Sequence, residues 1–244
     1  MVFSSTVFLF LFLPLVLAAT FAVSRSARNS VLLMASLGFY AWGEGWYTSV
    51  LIFSIVMNWL LGLAMQRFRS RSGEAVVLGA AIVLNLGMLI AFKYANFLVD
   101  NLNQIAIYFS LAPIHLDPVH LPIGISFFTF QALSYVIDVR RGQVSANANL
   151  IDYGMYKAFF PQLIAGPIVR YVDVAKDVKG RLESCEVFVS GFRRFVAGLA
   201  KKVLIANTLS IPADAIFGLF WPRIRYVYCV VRGNVLRSAN ILRF

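Results

Sequence analysis

Long uncharged windows dominate the chain. Residues 5–23, 46–65, 75–92 and 118–137 carry no Asp, Glu, Lys or Arg. Crossing the roughly 30 Å hydrocarbon core of a bilayer takes about 20 helical residues, so each window is predicted to be a transmembrane helix. Residues 30–43 are also uncharged but shorter, and suit a tilted or partly buried span. The first window is expected to be retained rather than cleaved. Met1-Val2-Phe3-Ser4-Ser5 offers no basic start, and the apolar run exceeds the core of a leader peptide.

Between and beyond these windows the pattern changes. In 101–119 a polar start, Asn101 to Gln104, gives way to the largely apolar 105–111, and Pro113 and Pro118 end any helix. A short helix on the outer surface fits. Asn147, Asn149 and Asp152 mark a loop. The apolar stretch 153–169 then carries Lys157, Pro161 and Gln162, which lipid would not accommodate. Broken backbone at membrane depth must be covered by protein or line water, so this stretch is predicted to be buried or re-entrant. On a helical wheel for 187–203, Phe188, Phe192, Phe195, Val196, Leu199 and Val203 share one stripe. Arg193, Arg194, Lys201 and Lys202 take the other side, as in a helix lying in the cytoplasmic interface. The alternative is a helix packed on a soluble domain. Residues 203–220 could span again but for Pro212 and Asp214, the latter expected near a helix end.

Composition sharpens this picture. Apolar residues make up 60% of the chain and charged ones 14%, against about 25% charged in soluble proteins. The net charge of +11 would suggest nucleic acid in a soluble protein. Here Arg25, Arg28, Arg67, Arg69, Arg71, Arg140 and Arg141 fall in short loops that alternate with loops holding Glu44, Asp100 and Asp117. The positive-inside rule accounts for that alternation, puts the N-terminus outside, and leaves no call for nucleic acid. Two cysteines, Cys185 and Cys229, make no disulfide framework or zinc spacing.

Candidate chemistry is sparse. His115, Asp117 and His120 read His-x-Asp-x-x-His, but in a proline-flanked loop without the rigid second shell that a metal site uses, and no metal is expected. No serine or cysteine nucleophile motif accompanies them. The densest cluster runs from Phe159 to Tyr171. Pro161 and Pro167 remove backbone donors, Gly166 permits close approach, and Arg170 places a cation at the end. The cluster reads equally as a kinked helix with an interfacial arginine or as a turn lining a ligand tunnel.

Four stretches of the chain resemble the membrane-bound O-acyltransferase (MBOAT) family, in its bacterial branch of alginate O-acetylation membrane subunits. They are the N-terminal 1–14; Phe92-Lys93-Tyr94-Ala95-Asn96-Phe97; Leu121-Pro122-Ile123-Gly124-Ile125-Ser126-Phe127-Phe128 running on to Gly142; and 161–170 with Gly198 to Asn207 downstream. They occur in the family's order across 1–220. The resemblance implies an all-α polytopic transmembrane bundle, the N-terminal portion of the MBOAT fold, with interfacial and re-entrant helices. It implies a bacterial inner-membrane protein that takes an acetyl group from a cytoplasmic donor, acetyl-CoA or another acyl donor, with no bound cofactor. The group goes toward a polysaccharide or cell-envelope hydroxyl, directly or through a periplasmic acetyltransferase partner. Pro161, Gln162, Gly166, Pro167 and Arg170 become candidate tunnel or donor-binding residues.

The family's chemistry centres on an intramembrane histidine in an Arg-Trp-His motif, which this sequence lacks. No catalytic residue is therefore assigned, and the isolated chain is expected to be inactive. Residues 221–244 hold five arginines and no Lys, Asp or Glu. They are expected to be an aberrant basic tail after an incomplete 1–220 domain, from truncation or frameshift. The alternative is a non-catalytic membrane component, transporter-like or an assembly partner.

Overall fold

The uncharged windows fold as helices in the computed structural model, which describes residues 4–70, 72–108, 112, 114–117, 119–163, 168–181 and 184–218. The chain divides into two units, one of residues 12–180 and the other of residues 2–11 and 181–244. The tail 221–244, with Cys229, lies outside the described residues.

The first unit begins with α1 (Leu13–Ala22), which follows a π-helical turn at Phe8–Phe12. Next come α2 (Arg28–Glu44), a 3-10 turn at Gly45–Tyr47 and α3 (Thr48–Phe68). Helix α4 (Glu74–Leu89) passes through a π turn at Ile90–Tyr94 into α5 (Ala95–Tyr108). The polar start of the expected outer loop is thus helical, in line with the end of α4. Arg25–Phe68 and Glu74–Tyr108, at 44 and 35 residues, are long and apolar enough to cross a membrane. Phe53, Val76, Val83 and Phe97 are exposed along them, as lipid-facing side chains would be.

The window 118–137 departs from expectation. Its helix, α6 (Ile125–Arg140), starts late and runs past the window's end. Pro122 lacks a backbone donor, and Gly124 just before the helix holds a left-handed φ of 79°. That conformation suits glycine because a Cβ would meet the following backbone. A Cβ at Gly124 would also stand 2.5 Å from the Leu163 carbonyl oxygen. The start of α6 therefore lies close against the backbone of Leu163, within the expected re-entrant stretch.

That stretch comprises α7 (Leu150–Ala158) and α8 (Phe160–Leu163), and α9 (Tyr171–Lys179) follows. Asn149 caps α7, its side chain accepting from the Ile151 amide at 2.9 Å. Helix α7 packs against both α2 and α3, with Tyr153, Tyr156, Lys157 and Ala158 almost wholly buried. Nine residues are too few to span a bilayer, and α7 packs against α2 and α3, part of a run long and apolar enough to cross one, in keeping with the composition of 153–169. Helix α3 also packs on α4 and α6. There Gly62 makes room for the Tyr135 ring, which an added Cβ would meet at 2.5 Å.

Cross-links order the two ends of this unit. At one end the Asn29 amide donates to Asp152 Oδ1 (2.8 Å) and the Val178 carbonyl (3.0 Å), and Arg140 pairs with Glu74 (2.5 Å). At the other end the Tyr40 hydroxyl donates to the Ile123 carbonyl at 2.9 Å, beside the α2–α3 turn. Trp42 and Trp46 are exposed near that turn, in keeping with an aromatic belt at a membrane surface.

In the second unit Ser184 caps α10 (Cys185–Ala200), accepting from the Val187 amide at 3.2 Å. A π turn at Lys201–Ala206 joins it to α11 (Asn207–Gly218), which contains Pro212. Cys185–Ala213 is a third run long and apolar enough to cross a membrane. It includes the helix read from sequence as interfacial. Phe188, Phe192, Phe195 and Val196 are exposed, and so are Arg193, Arg194 and Lys201, with Lys202 half-buried. Both faces of the amphipathic helix are thus uncovered. The side chain of Asp214 lies outside the described residues.

Candidate functional site

Among the buried polar groups of the first unit, two connected clusters surround α7. The first lies toward α3 and α4. Lys157 is fully buried, and its Nζ donates to the Ser54 carbonyl (2.8 Å) and to Ser54 Oγ (2.6 Å). It also sits 5.7 Å from the centre of the Phe128 ring. The Asn58 amide donates to the same carbonyl at 2.9 Å and to Asn85 Oδ1 at 3.1 Å, and Asn85 returns a bond of 2.7 Å. A buried ammonium normally needs a carboxylate. Here the bonds to Lys157 come from a hydroxyl, a carbonyl and an aromatic face instead. Ser54, Asn58 and Asn85 lie inside uncharged windows, where polar side chains turn toward the bundle interior. That was the only signal the sequence offered for them.

The second cluster holds Val169 and Arg170, which lead into α9. Rings of Tyr135, Tyr153, Tyr156 and Tyr171 stack with centroids 4.6–6.2 Å apart. Asn147 ties this stack to the loop before α7. Its amide N–H donates to the Tyr135 hydroxyl and its Nδ2 to the Tyr171 hydroxyl, both at 3.0 Å, and its carbonyl accepts from Trp59 Nε1 at 2.9 Å. Burial pushes the Tyr171 phenol above its ordinary pKa. The Tyr156 hydroxyl donates to the Val169 carbonyl at 2.9 Å. Arg170 then grips the buried Asp138 at the end of α6. Its Nε donates to Oδ2 at 3.2 Å, its Nη2 donates to Oδ1, and Nη2 also reaches Gln143 Oε1 at 2.7 Å. The Asp138 bonds hold the guanidinium above its already high pKa.

The residues picked out by sequence divide as follows. Phe160 anchors α8: its amide donates to Ser36 Oγ at 3.2 Å and its ring packs with Phe12 and Phe39. Pro161 is exposed. Gln162 donates to the Tyr156 carbonyl at 3.3 Å, and Gln131 reaches the same oxygen at 3.5 Å. With Phe127, Ile168 and Val169 these glutamines line a cleft of about 10 Å³, the size of one water. Gly166 and Pro167 lie outside the described residues. Arg170 is brought to Asp138 and Gln143, whereas Arg193, Arg194, Lys201 and Lys202 belong to the second unit.

Two described residues of the histidine loop, Ile114 and Val119, are held by asparagine side chains of α5. Asn96 exchanges two bonds with the Val119 backbone (3.0 and 3.3 Å), and Asn103 two with Ile114 (2.7 and 2.9 Å). His115 and Asp117 stay exposed, while His120 Nε2 meets Glu44 Oε2 at 3.0 Å. Among the described residues no three His, Cys, Asp or Glu side chains gather as for a metal ion.

No protein-family model matches the chain, and no solved structure matches it. Named proteins do. The chain is 44% identical over 222 residues to a probable alginate O-acetylase of Pseudomonas aeruginosa, covering 90% of this chain and 42% of that protein. It is 31% identical over 248 residues to a peptidoglycan O-acetyltransferase of Helicobacter pylori, covering 88% and 46%. A teichoic acid D-alanyltransferase of Lacticaseibacillus rhamnosus is 22% identical over 206 residues, covering 77% and 46%. The chain spans less than half the length of these relatives. With its all-helical membrane bundle and this similarity, the chain belongs to the membrane-bound O-acyltransferase family.

Proposed function

We propose that this chain is part of a membrane O-acetyltransferase that moves an acetyl group from a cytoplasmic donor toward an extracytoplasmic polysaccharide or cell-envelope hydroxyl. The observation that carries this reading is the 44% identity, over nine-tenths of the chain, to a protein named as an alginate O-acetylase. Acetyl-CoA is the donor in this reading and acts as substrate, not as a resident cofactor. Alginate or a related exopolysaccharide is the acceptor, reached directly or through a periplasmic acetyltransferase. The protein sits in the bacterial inner membrane with its N-terminus outside. The end of the first unit bearing Arg69, Arg140 and Arg141 then faces the cytoplasm, as the positive-inside rule favours. Pro161, Gln162 and Arg170 border the donor path, with Gly166 and Pro167 between them in sequence.

The intramembrane histidine of the family is not among these 244 residues. The chain alone is therefore expected to bind donor without turning it over. In lipid nanodiscs, radiolabelled acetyl-CoA should bind saturably and compete with unlabelled acetyl-CoA, and no acetyl ester should accumulate on added polysaccharide. Absence of binding would favour a non-catalytic membrane component. Acetyl ester formation above a buffer control would overturn the expected inactivity.

A further inference from the structure

Helices α4 and α6 pack on each other in the first unit, and a groove of about 340 Å³ opens between the start of one and the end of the other. Its lining changes character along its length. Glu74, Arg140 and Arg141 form one end. Leu78 and Ile82 continue from Glu74 along α4, and Ile137 precedes Arg140 on α6. Residues four apart share a helix face, and a rise of 1.5 Å per residue puts Ile82 about 12 Å from Glu74 along the axis. Glu74 is also the first residue of a run long and apolar enough to cross a membrane. The groove is thus charged where that run begins and apolar as it passes inward.

The charge at the polar end is one-sided. Glu74 is already engaged, Oε1 accepting from Arg140 Nε at 2.5 Å and Oε2 from the Ser70 amide at 2.7 Å. Asp138, three residues before Arg141, is held by Arg170. Arg141 is exposed and has no ion pair among the described residues. Arg69 comes close to it. A Cβ built on Gly142 would stand 2.8 Å from Arg69 Nη1, and Gly142 holds a left-handed φ of 72°, so glycine at this turn leaves the guanidinium its place. Arg69 likewise has no ion pair among the described residues. Two guanidinium groups without a carboxylate therefore gather beside the mouth of a groove whose far wall is apolar.

A matching occupant has an anionic head with several acceptor oxygens and an apolar tail. Guanidinium suits phosphate oxygens, which it can bond in pairs. The wall beyond is open to lipid, Ile82 being 40% exposed. A soluble phosphate compound would leave that wall uncovered. We propose that the groove holds an anionic phospholipid of the surrounding bilayer, with its phosphate on Arg141 and Arg69 and one acyl chain along Leu78, Ile82 and Ile137. Bound there, the lipid joins the turn after α6 to the end of α3 and fills the space between α4 and α6. The assignment uses the membrane placement of the bundle and not the acyltransferase reading.

Native mass spectrometry of the unmodified full chain, released from detergent micelles, reads lipid binding directly. Phosphatidylglycerol and phosphatidylcholine with the same acyl chains are titrated in turn. The first phosphatidylglycerol should bind roughly 10-fold more tightly than the first phosphatidylcholine. Arg141→Gln should weaken its binding about 5-fold. Arg67→Gln, which changes an exposed arginine of α3 outside the groove, should leave it unaltered. Leu78→Trp fills the apolar wall, leaves every charge in place and should remove the preference. Equal affinity for the two lipids in the unmodified chain would overturn the proposal, and that comparison needs no variant to fold. Equal losses in the Arg67 and Arg141 variants would overturn it in favour of diffuse attraction to a basic surface. Displacement of the lipid by millimolar inorganic phosphate, or indifference to Leu78→Trp, would overturn it in favour of a soluble phosphate compound. Acetyl-CoA binding, measured by itself, bears only on the acyltransferase reading.

Discussion

Gly124→Ala is expected to lower the unfolding midpoint of the first unit sharply, or to prevent its recovery from the membrane. Two costs coincide at this position. A left-handed φ of 79° costs an L-residue about 1–2 kcal/mol. The new Cβ would stand 2.5 Å from the Leu163 carbonyl oxygen, a backbone atom that no rotamer change can move. Relieving such an overlap by shifting backbone adds about 1–3 kcal/mol. The total is a large part of the stability of an ordinary domain, about 5–15 kcal/mol. Gly79→Ala makes a matched control, because a Cβ there meets nothing within 4 Å and lies inside α4, where alanine is favoured by about 0.5–1 kcal/mol. Thermal unfolding of detergent-purified variants should separate the two changes in opposite directions. Equal midpoints would show that the contact between the start of α6 and the end of α8 does not hold in the membrane.

Arg170→Ala should be the second most damaging change. It strands the Asp138 carboxylate, whose side chain is 2% exposed, with its guanidinium partner gone. Breaking a fully buried pair costs about 3–5 kcal/mol. Arg170 itself is 42% exposed, so water softens the loss, and the fall in unfolding midpoint should be smaller than that of Gly124→Ala. Arg170→Lys should recover only part of it, because a point charge cannot reproduce the two-pronged contact. Adding Asp138→Asn to Arg170→Ala should recover more, since the stranded charge disappears. In a full-length active relative, the alanine change at the matching arginine should also lower donor turnover. Unchanged kinetics there, with stability lost here, would assign Arg170 to holding the fold alone.

The sequence pattern indicated where most helices lie, but not how several of them join or meet. Uncharged windows located α1, α3 and α4 because the bilayer sets their length and excludes charge. Joining α4 to α5 through Lys93 was not visible, since a lysine between apolar runs reads as the edge of a span. The late start of α6 goes with Gly124, whose left-handed φ is paired with a close approach to a carbonyl 39 residues further along (163 − 124), invisible locally. Lys157 was recognisable as unsuited to lipid, and its burial follows from that. Its partner was not recognisable, because Ser54 lies 103 residues away and nothing local marks one serine among several. His120 was legible only as half of a weak metal pattern. The residue that gives it meaning, Glu44, stands 76 positions earlier, where it read as a loop charge.

The asparagine clamps on the histidine loop shorten the part of it that is free to move. Asn96 and Asn103 bond the backbone of Val119 and Ile114 through side-chain amides, standing in for the neighbouring strand that would otherwise pair with such backbone. With Val119 held on α5, the contact between His120 and Glu44 closes from a neighbouring residue already fixed, and its loop-closure entropy is correspondingly small. A variant lacking the Asn96 amide should thus leave α2, α3 and α5 helical and lose the His120–Glu44 contact first.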